Sequence, residues 1–365
     1  MKKLKVAVYA ICKDEEKFVE RWMQSMKEAD LVVVTDTGSA DGTVQKLKRL
    51  GAKVFSEKIE PWRFDVARNI SLSHVPHDVD ICVCTDLDET FRPGWRHLLE
   101  ASWREKENFG HRQVHYTYNW RLKADGTPDY TFTYSKIHDR HGWVWEYPIH
   151  EYIFLEGEGG LETIQLPALV LDHYPDWEKS RGNYLPLLEM AVKEKPLDGR
   201  MNNLLGREYL VTGHEKSAIQ QLKAYLALPD TLCPEAQGQA MGWIGNAYWQ
   251  QGEAQKARKW FLRFLGNCQH RREPYVELSR LAHAEKDWEF LYYLTKAALR
   301  ITDTGDMFYT LSSSWDKTLD EYALQACYHL AMYQDALAHC AKALAFEPGN
   351  AYLLSWQELI LSKMT

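Results

Sequence analysis

Two patterns of apolar and polar positions divide the chain. In the first half, short apolar runs alternate with amphipathic stretches. Residues 4–11 read as a strand, 15–28 as an amphipathic helix, 31–35 as a second strand, 41–50 as a helix and 52–55 as a third strand. Residues 63–74 predict another helix and 80–85 another strand, while 112–120, 130–137, 150–155 and 162–171 read as strands and connecting loops. The aromatic, glycine-interrupted stretch from Trp143 to Gly160 does not read as a simple helix. A βαβαβ beginning favours a parallel sheet with helices on both faces, and its ligands bind beyond the carboxyl ends of the strands.

After about residue 175 the pattern changes to apolar and small residues at helical spacing. Four degenerate helix pairs are centred on Gly206 and Ala218, Gly245 and Ala257, Ser279 and Leu291, and Leu324 and Ala336. Each pair is separated by the same twelve residues. The last two continue seven residues later to Ala298 and Ala343, and Pro348 stands where the second helix of the final pair ends. This pattern resembles tetratricopeptide repeats, although the separations between repeats vary; an irregular helical bundle is the plainer alternative. The expected organisation is therefore an α/β domain over residues 1–175 and an all-α helical domain over 176–365.

Composition narrows the function. The 365 residues suffice for two cores, and a net charge of -7 gives no general reason to bind nucleic acid or an anionic membrane. Seven cysteines without a CxxC pair point to reduced core thiols rather than a disulfide framework or zinc site. The lysines before Val6 to Ile11 superficially suggest a signal peptide, but the apolar run is too short, and a first buried strand explains it better. No segment is long and apolar enough to span a bilayer. A cytoplasmic location is expected.

The candidate chemistry lies at Ile81-Cys82-Val83-Cys84-Thr85-Asp86-Leu87-Asp88-Glu89, a β-prone run that delivers three acids to its C-terminal end. Carboxylates there can share a hard divalent cation carrying phosphates. Three further motifs precede it: Ile11-Cys12-Lys13-Asp14-Glu15, Asp36-Thr37-Gly38-Ser39-Ala40-Asp41-Gly42-Thr43, and Arg68-Asn69. With Thr85 to Glu89, these make residues 1 to about 175 resemble a family 2 glycosyltransferase of the GT-A fold, a Rossmann-like nucleotide-sugar domain. With the helical tail, the chain resembles bacterial glycosyltransferases carrying tetratricopeptide-like repeats, including SunS-like peptide S-glycosyltransferases.

The resemblance implies a UDP-sugar donor and Mg²⁺ or Mn²⁺. It assigns nucleotide contact to Asp86 and metal coordination to Asp88, and it favours a nucleotide role for Asp36, whose carboxylate is placed to accept from uracil or ribose. Tyr9 and Asp14 are candidates to complete the nucleoside pocket, with Tyr9 equally readable as core. Asp41 is either a ligand contact or a helix cap. Arg68 is expected to meet phosphate or an acidic neighbour, with Asp65 a candidate to position it. Glu89 orients the donor sugar or supports the turn. His173 is a candidate third metal ligand or a structural histidine. Lys179 and Arg181 are candidates to close over diphosphate or are solvated helix ends.

In Trp143 to Glu151, the His150-Glu151 pair resembles the acceptor side of the same group of enzymes. Glu151 is the candidate base, with His150 orienting it or sharing the duty; acceptor binding and loop support are the alternatives for Glu151. The expected function is a metal-dependent, inverting transfer of hexose from a UDP-sugar to a peptide, protein or glycan, with the repeats offering an acceptor groove or a homodimer contact. The alternative is a noncatalytic scaffold that senses nucleotide sugar while its repeats bind a protein.

Overall fold

The computed structural model describes residues 3–105, 110–156, 159–176, 182, 184–229, 231, 233–302 and 312–365. These divide into two compact units, Met1–Ala191 and Val192–Thr365. Lys179 and Arg181 lie outside the described residues.

The first unit begins with β1 (Val6–Cys12), α1 (Val19–Met26), β2 (Leu31–Asp36), α2 (Thr43–Arg49), β3 (Lys53–Ser56), α3 (Phe64–Ser73) and β4 (Ile81–Cys84). It continues through β5 (Glu89–Phe91), α4 (Trp95–Arg104), β6 (His111–Leu122), β7 (Pro128–Asp139), β8 (Trp143–Glu146), β9 (Tyr152–Leu155) and β10 (Leu161–His173). Eight strands form one sheet in the order β3-β2-β1-β4-β7-β6-β10-β5. The β3, β2, β1 and β4 strands run parallel, as the alternating pattern predicts; β7 then pairs antiparallel with β4 and β6, and β5 antiparallel with β10. The sheet is thus mixed. Trp143 to Leu155 forms a separate two-stranded ribbon, β8 against β9.

Every residue of β1 is buried, so the strand packs on both faces. Val6, Val8 and Ala10 join one core with Trp22, Trp95 and Trp103, whereas Ala7 and Tyr9 join a second with Cys82, Cys84, Trp143 and Trp145. This two-sided burial explains the near-continuous apolar runs of the parallel strands. It also brings the C-terminal ends of β1, β2 and β4 to one edge, with Cys12 paired to Asp36 and Tyr9 to Cys84.

Helix α5 (Tyr184–Glu194) leads into the second unit, which contains α6 (Gly199–Val211), α7 (Glu215–Leu226), α8 (Pro234–Gln250), α9 (Ala254–Asn267), α10 (Glu273–Glu285) and α11 (Trp288–Ala298). A short 3-10 turn, α12 (Thr318–His329), α13 (Tyr333–Phe346) and α14 (Ala351–Met364) follow. The eight positions singled out from the sequence lie on α6 through α13, two per helix pair, and all are buried. A Cβ on Gly206 would meet Leu222, and one on Gly245 would meet the Phe261 ring, so these glycines set how closely each pair approaches.

The backbone repeats more faithfully than the sequence. Each pair turns through one residue with positive φ: Gly213 (75°), Gly252 (75°), Lys286 (59°) and Ala331 (59°). Directly after it, the same hydrogen bond recurs four times, from His214 N to Tyr209 O, Glu253 N to Tyr248 O, Asp287 N to Ala282 O and Met332 N to Cys327 O. These are the long-range bonds of Schellman caps, which satisfy carbonyls that the helix end leaves open. Four like helix hairpins in succession make the unit tetratricopeptide-like.

Candidate active site

Two acidic loops are latched together at the β1 and β2 ends. Asp14 Oδ1 accepts from Ala40 N at 2.7 Å, and Asp14 N donates to Ser39 Oγ at 2.9 Å. Glu15 N donates to Thr43 Oγ1 at 2.8 Å, and Glu16 Oε2 accepts from Gly42 N at 3.0 Å. A Cβ at Gly42 would meet the Glu16 carboxylate, the mobile end of a partly exposed side chain. Asp36 is buried and turns back on its own loop, accepting from Ser39 N at 3.1 Å and Gly38 N at 3.3 Å. Gly38 has φ of 107°, so the turn requires it.

Asp41 is placed as a local anchor. Its Oδ1 accepts from Thr43 N at 3.0 Å and Thr43 Oγ1 at 2.5 Å, and its Oδ2 from Glu16 N at 3.1 Å. Burial opposes its charge, but these bonds outweigh it and hold the carboxyl below the usual carboxylate range. Gly42 rather than Asp41 occupies the cap position of α2. Asp14, Asp36 and Asp41 therefore form one shaped loop cluster at the parallel-strand edge.

Of the two readings of Tyr9, nucleoside contact and core, the structure has the core one. The residue is fully buried, its hydroxyl donating to His138 Nε2 at 2.9 Å and accepting from Trp145 Nε1 at 2.9 Å. Its position within β1 directs the ring into the second core, where it has no face for a base.

Beyond β4 lies an interlocked set of buried charges. Arg68, on α3, donates from Nη2 to Asp86 Oδ1 at 2.9 Å and from Nε to Glu151 Oε1 at 2.5 Å. Lys136, on β7, donates to Asp86 Oδ2 at 3.1 Å and to the Glu89 oxygens at 3.0 and 3.1 Å. Glu89 also accepts from Tyr118 Oη and from Asp86 N, both at 2.9 Å. Burial works against the charge of Asp86, yet Arg68 and Lys136 pull its carboxyl well below the usual range. Burial likewise disfavours charge on Lys136, but Asp86 and Glu89 hold it protonated.

The arrangement gives each of these side chains a local partner. Arg68 meets acidic neighbours and is committed to two of them. Glu89 accepts from Asp86 N and so braces the turn locally. Asp65 does not position Arg68; it takes the Arg63 guanidinium through paired bonds of 3.0 and 2.8 Å. The neighbour of Arg68 has its own task, because Asn69 exchanges two 2.8 Å hydrogen bonds with the Trp145 backbone. Arg68-Asn69 thereby fixes the β8 ribbon and the Glu151 segment to α3. His150, with φ of 52°, is exposed and meets the Tyr184 ring edge-on at 5.9 Å between centroids. Lys136 was not among the residues singled out from the sequence, which carries no local signal for it.

Asp88 and His173 come together across the β5 and β10 pairing, with Nε2 3.3 Å from Oδ2. His173 Nδ1 lies 2.9 Å from Trp120 O, an acceptor only, so Nδ1 carries the proton and Nε2 faces the carboxylate. Burial favours neutral imidazole, but the bond to Asp88 and its charge raise the histidine above its ordinary value. An imidazole oriented through Nδ1 beside a carboxylate is a donor set that fits a divalent cation. Among the described residues no group of three or more His, Cys, Asp or Glu side chains converges on a metal position. A hard cation held by these two groups alone would need further oxygen ligands from outside the protein.

The mixed sheet of the first unit is GT-A-like. Residues 8–150 match the family model described as Glycosyl transferase family 2, and the chain carries a glycosyltransferase domain of that family followed by a tetratricopeptide-like helical domain. Among solved structures, similarity extends to a glucosyl-3-phosphoglycerate synthase from Mycobacterium tuberculosis, crystallised with Mn²⁺, UDP and glucosyl-3-phosphoglycerate. Identity there is 23%, covering 31% of this chain and 44% of that one, with a TM-score of 0.27. The TPR protein YrrB is 14% identical over 48% of this chain and 83% of its own, with a TM-score of 0.41. The APC/C hetero-tetramer Cut9-Hcn1 is 14% identical over 50% of this chain and 33% of that one, with a TM-score of 0.39, and MamA is 17% identical over 49% of this chain and 99% of its own, with a TM-score of 0.38.

Proposed function

We propose that this glycosyltransferase moves a hexose from a UDP-sugar to a peptide, protein or glycan acceptor, with inversion and with a bound divalent cation. The observation that carries the reading is the pairing of Asp88 with a tautomer-fixed His173, directly beside the Asp86, Arg68 and Lys136 network. When bound, Mg²⁺ or Mn²⁺ neutralises diphosphate charge as the sugar bond breaks.

The chain's own groups do the rest. Asp14, Asp36 and Asp41 shape the loop that receives the nucleoside, and Asp86, held ionised by its two cations, accepts from it. Arg68 aligns Asp86 and Glu151 and so acts as a positioning residue. Glu151 removes the acceptor proton while the acceptor attacks the anomeric carbon opposite the departing UDP. Seven free cysteines support a reducing, cytoplasmic setting. No helix among the described residues is long and apolar enough to cross a membrane.

Release of UDP, followed over time with several UDP-sugars and a panel of peptide and glycan acceptors, tests the reading, with mass spectrometry locating the hexose. Asp88→Asn should lower kcat by about a thousandfold, as expected for losing several kcal/mol of charge stabilisation. Glu151→Gln should retain donor binding and slow transfer. Tight UDP-sugar binding without hydrolysis or transfer would instead identify a nucleotide-sugar sensor.

A further inference from the structure

The helical unit contains a cavity of about 520 Å³ lined by Lys223, Tyr248, Lys256, Lys259, Trp260 and Arg263. Three helices build it: Lys223 from α7, Tyr248 from α8 and the other four from α9. The α9 residues fall at positions 0, 3, 4 and 7 of one helical face, while Ala257, Phe261 and Phe264 at the intervening face are buried. The helix thus divides into a core stripe and a cationic-aromatic stripe.

The cations are organised around the rings. Lys223 Nζ donates to Tyr248 Oη at 2.8 Å and lies 5.2 Å from the centre of that ring and 5.7 Å from that of Trp260. Lys256 stands 5.4 Å from the Tyr248 ring, and the Arg263 guanidinium 4.6 Å from Trp260. Glu253 pairs with Lys256, leaving an excess of positive charge on a chain whose net charge is -7. Tyr248 and Trp260 are half-buried, so their apolar bodies are held while part of each remains accessible.

We infer that this cavity binds an anionic saccharide, with carboxylate or phosphate groups on the lysines and Arg263 and a sugar ring against Trp260. A cavity of this size suits a small ligand of one to a few sugar units. Amphipathic rings supply a flat apolar contact, and the clustered ammonium and guanidinium groups select negative charge. An acidic peptide of Asp and Glu would satisfy the cations but brings no ring to the accessible part of Trp260 beside Lys223 and Arg263. The site lies wholly within the helical unit and uses none of the proposed catalytic residues, so it stands whether or not the transfer reaction does.

Fluorescently labelled tetragalacturonate, titrated into the full chain and followed by anisotropy, tests the inference. Saturable binding is expected, weakened by about tenfold in Lys259→Gln/Arg263→Gln and again by raised salt. Trp260→Ala should weaken it similarly, whereas Trp260→Phe, which keeps a ring, should stay within about threefold. Circular dichroism of each variant separates lost binding from lost folding, and the exposed Lys259 and Arg263 substitutions keep the test informative if Trp260→Ala unfolds. Uncharged tetragalactose should bind far more weakly. Equal binding of tetraglutamate would overturn the assignment in favour of an acidic peptide, and absent or variant-insensitive tetragalacturonate binding would overturn the site.

Discussion

The two units handle charge in opposite ways. The α/β unit interlocks Arg68, Lys136, Asp86, Glu89 and Glu151 where β4 ends, so each group has more than one function in the network or depends on a neighbour that does. The helical unit instead gives each of these buried acids one basic partner, Glu273 with Arg271, Glu277 with Arg280 and Asp320 with His339, with Asn246 bridging Glu277 and Arg280. Its hairpins are held by small-residue packing and a repeated backbone cap. Interlocked charge fixes a few side chains in one geometry, which chemistry requires; repeated packing makes a scaffold from interchangeable parts.

Breaking the network should have the largest effect on stability. Lys136→Met leaves Asp86 and Glu89 facing each other without their shared cation, and should cost about 3–5 kcal/mol in urea unfolding. A loss below about 1 kcal/mol would mean that Arg68 and water suffice to balance the two acids.

Acid should act on the same unit next. His138 is fully buried between Tyr9 and the Asp139 carbonyl, its Nδ1 donating and its Nε2 accepting, and burial lowers it to about 4. Because the folded value lies below the unfolded value of about 6.5, the unfolded chain takes up the proton first as pH falls. The neutral histidine's contribution is therefore intact above pH about 6.5 and is lost progressively down to about 4, amounting to about 3 kcal/mol. Urea midpoints across this window should fall in the wild type and fall less in His138→Gln.

The helical unit should respond to sterics. Gly245→Ala places a methyl group against the buried Phe261 ring and should destabilise by about 1–3 kcal/mol. Its smallest test runs the other way. Ala331 occupies the left-handed turn position that glycine fills in the first two hairpins. Ala331→Gly should raise stability by about 0.5–1 kcal/mol, the relief of left-handed strain exceeding glycine's added chain entropy. No gain would show that the fourth turn is shaped by its neighbours rather than by its own φ preference.

These contrasts also explain what was legible in the sequence. The parallel strands announce themselves because both faces are buried, and the loop motifs because Asp, Gly and Thr serve turns whose backbone demands them. The twelve-residue spacing of Gly206 to Ala218 and its counterparts survives because close helix approach requires small side chains. Lys136 was illegible, since a lysine in a strand ordinarily faces water. Only the pairing of Ile137 with Val83 carries it beside the acids that follow β4, and strand pairing across that distance has no local signature. Tyr9 stayed open between pocket and core for a related reason: the position predicts the strand tip, but not which side of the sheet receives the ring. The short β5 and the helix α4 were also missed, the former because three residues carry little periodicity.

The dependence of UDP release on divalent cation tests the central claim most directly. Turnover of the intact chain with its preferred UDP-sugar should cease on chelation, return with Mn²⁺ or Mg²⁺, and fail to return in Asp88→Asn. Undiminished turnover after chelation, or a metal requirement unchanged in Asp88→Asn, would contradict the assignment of Asp88 and His173 to the cation.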